Sequence, residues 1–172
     1  MAPIIFSVIL IGFVFLLFAY LIFNFISEFK GAPFVPSTSN AVSKMLSMAD
    51  LKPGMKLLDV GSGDGRIVFA AANLGLDAYG VDTNIVLIWW SQIIAFFKSQ
   101  SKTTHFKCEN IFDTDLSQYD VITLYCLPRT IAKLENKFKK EIKKGAIIAS
   151  NTFDLKDAKV LKQDGKIRIY QY

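Results

Sequence analysis

Residues 57–66 read Leu-Leu-Asp-Val-Gly-Ser-Gly-Asp-Gly-Arg, an apolar run that closes on an acid and then sets glycines at 61, 63 and 65. Such a stretch is a buried strand turning sharply into a helix, with bare backbone free to approach a ligand. Asp59 faces that ligand from the strand end. The spacing argues against one familiar turn: a dinucleotide-binding loop needs its third glycine at the sixth position, for close helix–strand packing. Counted from Gly61, the sixth residue is Arg66.

The chain around this turn alternates strand-like and helix-like patterns. Met55–Val60 is the first strand, and Arg66–Leu74 is a helix stopped by Gly75. A second strand, Ala78–Asp82, also ends on an acid. In a doubly wound sheet Asp82 stands beside the first turn, across the carboxyl ends of adjacent strands, where it can accept from both hydroxyls of a ribose. Thr103–Cys108, Asp120–Tyr125 and Gly145–Ser150 read as three further strands, with a helix over Pro128–Ile142. Two segments, Ala158–Gln163 and Lys166–Tyr172, flank Asp164-Gly165, a hairpin signal. The expected fold is α/β: a Rossmann-like three-layer sandwich, its mostly parallel sheet of helix-joined strands closed by a C-terminal antiparallel hairpin and preceded by one transmembrane helix.

That leading helix comes from composition. Of 172 residues 52% are hydrophobic, and the excess sits at the start, where Met1 to Ser27 carries no charged side chain. Twenty-odd apolar residues at a rise of ~1.5 Å span a hydrocarbon layer of ~30 Å. A signal peptide would show a basic start, a shorter apolar core and a small-residue cleavage site. The expected organisation is therefore an anchor over 1–28, a juxtamembrane connector and cap helix over 29–54, and the ligand-binding domain over 55–172. Lys30 and Lys44 follow the anchor, a charge bias that puts the body of the protein in the cytoplasm or an equivalent compartment.

The net charge of +5 lies outside the anchor, densest over Lys133–Lys144, where six lysines face two glutamates on a helical pattern. A solvated helix face and a patch drawn to anionic headgroups both fit. Over Asn84–Lys98 the apolar residues cover an arc of roughly 200°, about twice what one sheet face needs. Part of that arc, including Trp89 and Trp90, stays exposed unless loops or the segment after the anchor cover it. Cys108, Cys126 and His105 have no metal-ligand spacing, and neither a metal nor a nucleic-acid partner is expected.

The loop Asp59–Arg66, Asp82, and Asn110-Ile111 after the third strand resemble the binding motifs of seven-strand methyltransferases. With Pro33-Phe34-Val35-Pro36-Ser37-Thr38 and the Leu124–Arg129 segment, the chain from Pro33 to Tyr172 is similar to the small membrane-anchored lysine methyltransferases. Members of that family modify the ATP synthase c-subunit and the adenine nucleotide translocase. The resemblance implies S-adenosyl-L-methionine as cofactor, held by Asp59, Gly61, Ser62, Gly63, Gly65, Asp82, Asn110 and Ile111. The last two would meet the adenine; Asn110 departs from the commoner Asp, and a tryptophan-rich second helix is a further departure.

A lysine acceptor has to arrive uncharged, and aromatic and carbonyl walls desolvate it and lower its pKa. Tyr125, at the carboxyl end of the fourth strand, is the first candidate for that wall. Thr38 and Phe34 come next as candidate catalytic residues, followed by Asn151 and Thr152. The strand-four end reads Tyr125-Cys126-Leu127-Pro128, not the Asn/Asp-Pro-Pro-aromatic box shared by enzymes that methylate exocyclic amines of bases. Little chain is left for a separate recognition domain, so a shared membrane is expected to bring the protein substrate close. Methylation of a lipid or quinone, or cofactor binding without turnover, remains compatible with the same residues.

Overall fold

The computed structural model describes residues 2–30, 36–156 and 158–172, with side chains at all of these except 2–5, 19 and 22–30. It divides into two units, Met1–Pro33 and Phe34–Tyr172.

The first unit is one helix, α1 (Ala2–Lys30). Its described apolar side chains, from Phe6 to Leu21, are all exposed. Among the described residues no helix is long and apolar enough to cross a membrane. The transmembrane helix expected over 1–28 therefore has no support in the described residues.

The second unit is a seven-stranded sheet. A cap helix, α2 (Ser39–Met48), precedes β1 (Lys56–Val60), α3 (Arg66–Asn73), β2 (Asp77–Asp82), α4 (Ile85–Phe97) and β3 (Thr104–Cys108). Then follow β4 (Val121–Leu124), α5 (Pro128–Glu141), β5 (Ile147–Asn151), β6 (Lys159–Asp164) and β7 (Ile167–Gln171). The strand order is β3-β2-β1-β4-β5-β7-β6. The first five strands pair in parallel, and β7 runs antiparallel to both β5 and β6.

Parallel strands are covered on both faces, so they read as continuous apolar runs. On one face Leu57, Ala78, Val121 and Ala149 meet Val42, Met45 and Leu46 of α2 and Val68 and Ala71 of α3. On the other, Leu58, Ile122 and Ile148 meet Ile131, Leu134 and Phe138 of α5. The apolar residues of α2 and α5 recur at helical spacing, so burying one stripe of each satisfies both faces.

Two expectations are corrected. The strands are not all joined by helices: β3 passes to β4 through turns over 109–120, where Asn110 and Asp115 bond their own backbones two residues on and favour turn over helix. The hairpin turn also lies one residue later than read, because Asp164 pairs with Ile167 and leaves Gly165-Lys166 as the two-residue loop. Gly165 has φ +59°, the left-handed geometry such a loop requires.

Candidate active site

The site gathers at the carboxyl ends of β1, β2 and β4. Register places Asp59 between Gly80 of β2 and Thr123 of β4. Thr123 Oγ1 donates to Asp59 Oδ1 at 2.7 Å. Asp59 is buried, and burial pushes its carboxyl up to about 7. The Thr123 hydrogen bond opposes the rise, while Asp82 and Asp64 add to it. Asp59 thus sits beneath the loop and not on an open wall.

Above it the chain turns through left-handed Gly61, Gly63 and Gly65. The Gly61 and Ser62 amides donate to Val81 O at 2.9 and 3.0 Å, and the Gly63 amide to Asp82 Oδ2 at 3.0 Å. Asn84 N donates to the other Asp82 oxygen at 2.8 Å. Asp82 therefore braces the loop as well as closing β2, and each carboxylate oxygen keeps capacity for a further donor. Ser91 Oγ on α4 donates to Gly63 O at 3.2 Å. Gly80 lets the loop lie this close, since a Cβ there would meet the Ser62 side chain at 2.7 Å.

Arg66, where a dinucleotide loop has glycine, is a clamp. Its Nε and Nη2 donate to Asp64 at 2.9 and 2.6 Å, and its Nη1 to Ser37 O at 2.6 Å. Arg66 accordingly holds the Asp64 carboxyl below its usual range. The segment before α2 is thereby tied to the loop. Asn151 Nδ2 at the end of β5 donates to Ser37 Oγ at 3.4 Å.

Beside Ser37 lies an open cavity of about 300 Å³ whose lining includes Thr38, Tyr125, Asn151, Thr152, Asp164 and Lys166. Four of the five expected acceptor-site residues are thus brought together. The fifth, Phe34, lies outside the described residues. Tyr125 follows the last β1–β4 pair, Val60 with Leu124, so it stands level with Gly61. Asn110 and Ile111 follow β3; Ile111 packs in the core with Val60 and Val81, while exposed Asn110 accepts from Phe112 N at 3.1 Å.

Gly80, Thr123, Ser91 and the Arg66–Ser37 tie escaped sequence reading. Only Gly80 carried a signal, as a glycine inside a strand, which often marks close backbone approach.

The arrangement suits a ligand with an adenosine and a cationic amino-acid end. Ser62 Oγ is buried without a hydrogen-bond partner, the Cβ direction at Gly61 is open, and two acids stand at adjacent strand ends. Asp59 would face the cationic end from beneath the loop, Asp82 would meet the ribose, and Asn110 with Ile111 the adenine. The residues fit S-adenosyl-L-methionine, which when bound supplies a methyl group on a sulfonium.

This sheet order with its site of acids and glycines is the Rossmann-like fold of the S-adenosylmethionine-dependent methyltransferases. The ANTKMT methyltransferase domain model matches residues 59–162, and the chain belongs to that family. A protein-lysine N-methyltransferase of Saccharolobus islandicus is 30% identical over 129 residues, covering 72% of this chain and 78% of the relative. The lysine N-methyltransferase of Rattus norvegicus named for the ATP synthase c-subunit is 34% identical over 121 residues, covering 70% of this chain. The chain spans little more than half, 56%, of that rat relative. Among solved structures, an RNA methyltransferase from Salinibacter ruber in complex with S-adenosyl-L-homocysteine aligns with TM-score 0.75 and 29% identity, covering 80% of this chain and 92% of that one.

Proposed function

We propose that this chain methylates a lysine side chain of a membrane-associated protein, taking the methyl group from S-adenosylmethionine. The observation that carries the reading is the cavity at Ser37, a residue tied to the loop through Arg66, where Thr38, Tyr125 and Asn151 converge. Names of two relatives support the acceptor: one is a protein-lysine N-methyltransferase, the other a lysine N-methyltransferase of the ATP synthase c-subunit.

In this mechanism the chain's work is alignment. Holding nucleophile, methyl and leaving group in line supplies ~7–11 kcal/mol. Tyr125 forms one wall for the incoming amine, and Thr38 and Asn151 offer polar groups that orient it. Lys44, Asp164 and Lys166 also line the cavity; with Lys44 paired to Asp164 at 2.6 Å, Lys166 is left to disfavour a second ammonium there. A buried thiol on Cys126, pushed up to about 12 by burial, stays protonated and does not compete for the methyl group.

The membrane part of the proposal rests on the sequence. Met1 to Ser27 has no charged side chain, which supports an anchor over 1–28 and a catalytic unit facing the cytoplasm or an equivalent compartment. Sharing a bilayer with the substrate then raises its effective concentration at the site.

The Salinibacter structure favours a second reading, RNA methylation, against which stands the Tyr125-Cys126-Leu127-Pro128 strand end. Full-length protein, labelled cofactor, cellular membranes and RNA in one reaction separate the readings. Label is expected in protein; label confined to the lipid extract or to RNA overturns the proposal.

A further inference from the structure

The helix α4 is built inside out. Its buried residues, Ile88, Ser91 and Ala95, include two small ones, while Trp89, Trp90, Ile93, Phe96 and Phe97 are 50–80% exposed. At 100° per residue those five fall with Val86 on one stripe about 120° wide, opposite the buried three. A helix that served only to cover the sheet would turn its large side chains inward. Single exposed apolar residues need no explanation, but a contiguous aromatic stripe marks a surface that something covers.

The chemistry around the stripe selects the occupant. From Thr83 to Cys108 there is no carboxylate, while Lys98 and Lys102 follow the stripe; the next lysine, Lys107, is paired with Glu109 at 2.6 Å. Lys98 caps the carboxyl end of α4 directly after Phe97, its Nζ 5.0 Å from the ring centroid of Phe69 on α3. An apolar face with tryptophan, and lysines at its margin, complements anionic headgroups over an acyl layer. Tryptophan in particular favours that boundary. A second copy of this chain would bring more lysine to the same margin and cover the stripe against like charge. The described apolar side chains of α1 are exposed as well, and lipid is the one partner that suits both surfaces.

We propose that the outer face of α4 lies in the interfacial layer of a membrane containing anionic lipid, as a second contact besides the N-terminal segment. This deepens the membrane-surface part of the reading above and rests on it.

Trp89 and Trp90 are the only tryptophans in the chain, so their fluorescence reports this face alone. The test is full-length protein in vesicles of phosphatidylcholine and phosphatidylglycerol, with the phosphatidylcholine acyl chains either plain or brominated. Bromination is expected to quench emission by roughly half or more. In the Phe96→Ser, Phe97→Ser variant most of that quenching is lost while S-adenosylmethionine binding persists. Protein that co-floats with the vesicles but is not quenched overturns the α4 contact and leaves the anchor standing. Protein that fails to co-float overturns the anchor and the α4 contact together. A blue shift that grows with protein concentration and is indifferent to bromine assigns the stripe to a second copy, which contradicts the proposal.

Discussion

Asp59 is a carboxyl whose burial sets its protonation, and that gives a pH signature with a definite sign. Its folded value, about 7, lies above its ordinary 3.8. Between those values the folded protein holds a proton that the unfolded chain has released, so stability falls as pH rises across that window. Asp64, Glu109, Asp115 and Asp120 have lowered values. Their contributions are present above the ordinary carboxylate range and fade only as pH drops below it, outside the window. Asp59→Asn is therefore expected to raise the melting temperature of the ligand-free protein more at pH 7.5 than at pH 5. The stabilisation at pH 7.5 is on the order of 3–4 kcal/mol. An equal effect at both pH values would show that the carboxyl is not raised. Gly80 makes the complementary steric prediction. Gly80→Ala drives a methyl against Ser62 at 2.7 Å and Phe106 at 3.0 Å; it is expected to cost ~1–3 kcal/mol in thermal unfolding. Calorimetry should also show weaker S-adenosylmethionine binding, because the loop is what moves.

The legible elements were those whose pattern is local. Residues 57–66 carry an apolar run, an acid and the glycines in one stretch, and β1, the turn and α3 follow from it. The oversized apolar arc over 84–98 likewise foretold that α4 would leave part of itself exposed. What stayed hidden joins residues far apart in sequence. Thr123 reaches Asp59 only because β4 pairs with β1, and Arg66 reaches Ser37 only because α2 folds over α3. The late hairpin turn was missed because Asp164 can belong to strand or loop, and pairing with Ile167 decides it. In the proposed function the Arg66 tie brings the segment before α2 to the acceptor site. Arg66→Lys keeps the charge but loses the fork that spans Asp64 and Ser37. Steady-state kinetics should show the acceptor KM rising ~10-fold with the cofactor KM changed less than ~3-fold. Equal losses for both substrates would place Arg66 in cofactor binding instead.

For the molecule as a whole, the proposed function has the site at the carboxyl ends of β1, β2 and β4 served by a membrane surface that the exposed face of α4 meets. The charge of +5 suits such a surface, though part of it is spent internally. On and beside α5, Lys137 pairs with Glu141 and Lys143 with Asp120, so the lysine run there is partly a bracing network and not a free patch.

The central claim is delivery of a methyl group to a lysine amine by the site built on Asp59, the glycine loop and Asp82. Full-length protein and its Asp82→Asn variant should each be incubated with cellular membranes and S-adenosylmethionine bearing a deuterated methyl group, and the proteins then examined by peptide mass spectrometry. The predicted result is deuterated methyl on lysine side chains of membrane-associated protein with the wild type, reduced ~10-fold or more with Asp82→Asn through the lost ribose hydrogen bonds. Label on other residue types, or equal labelling by the two proteins, would contradict it.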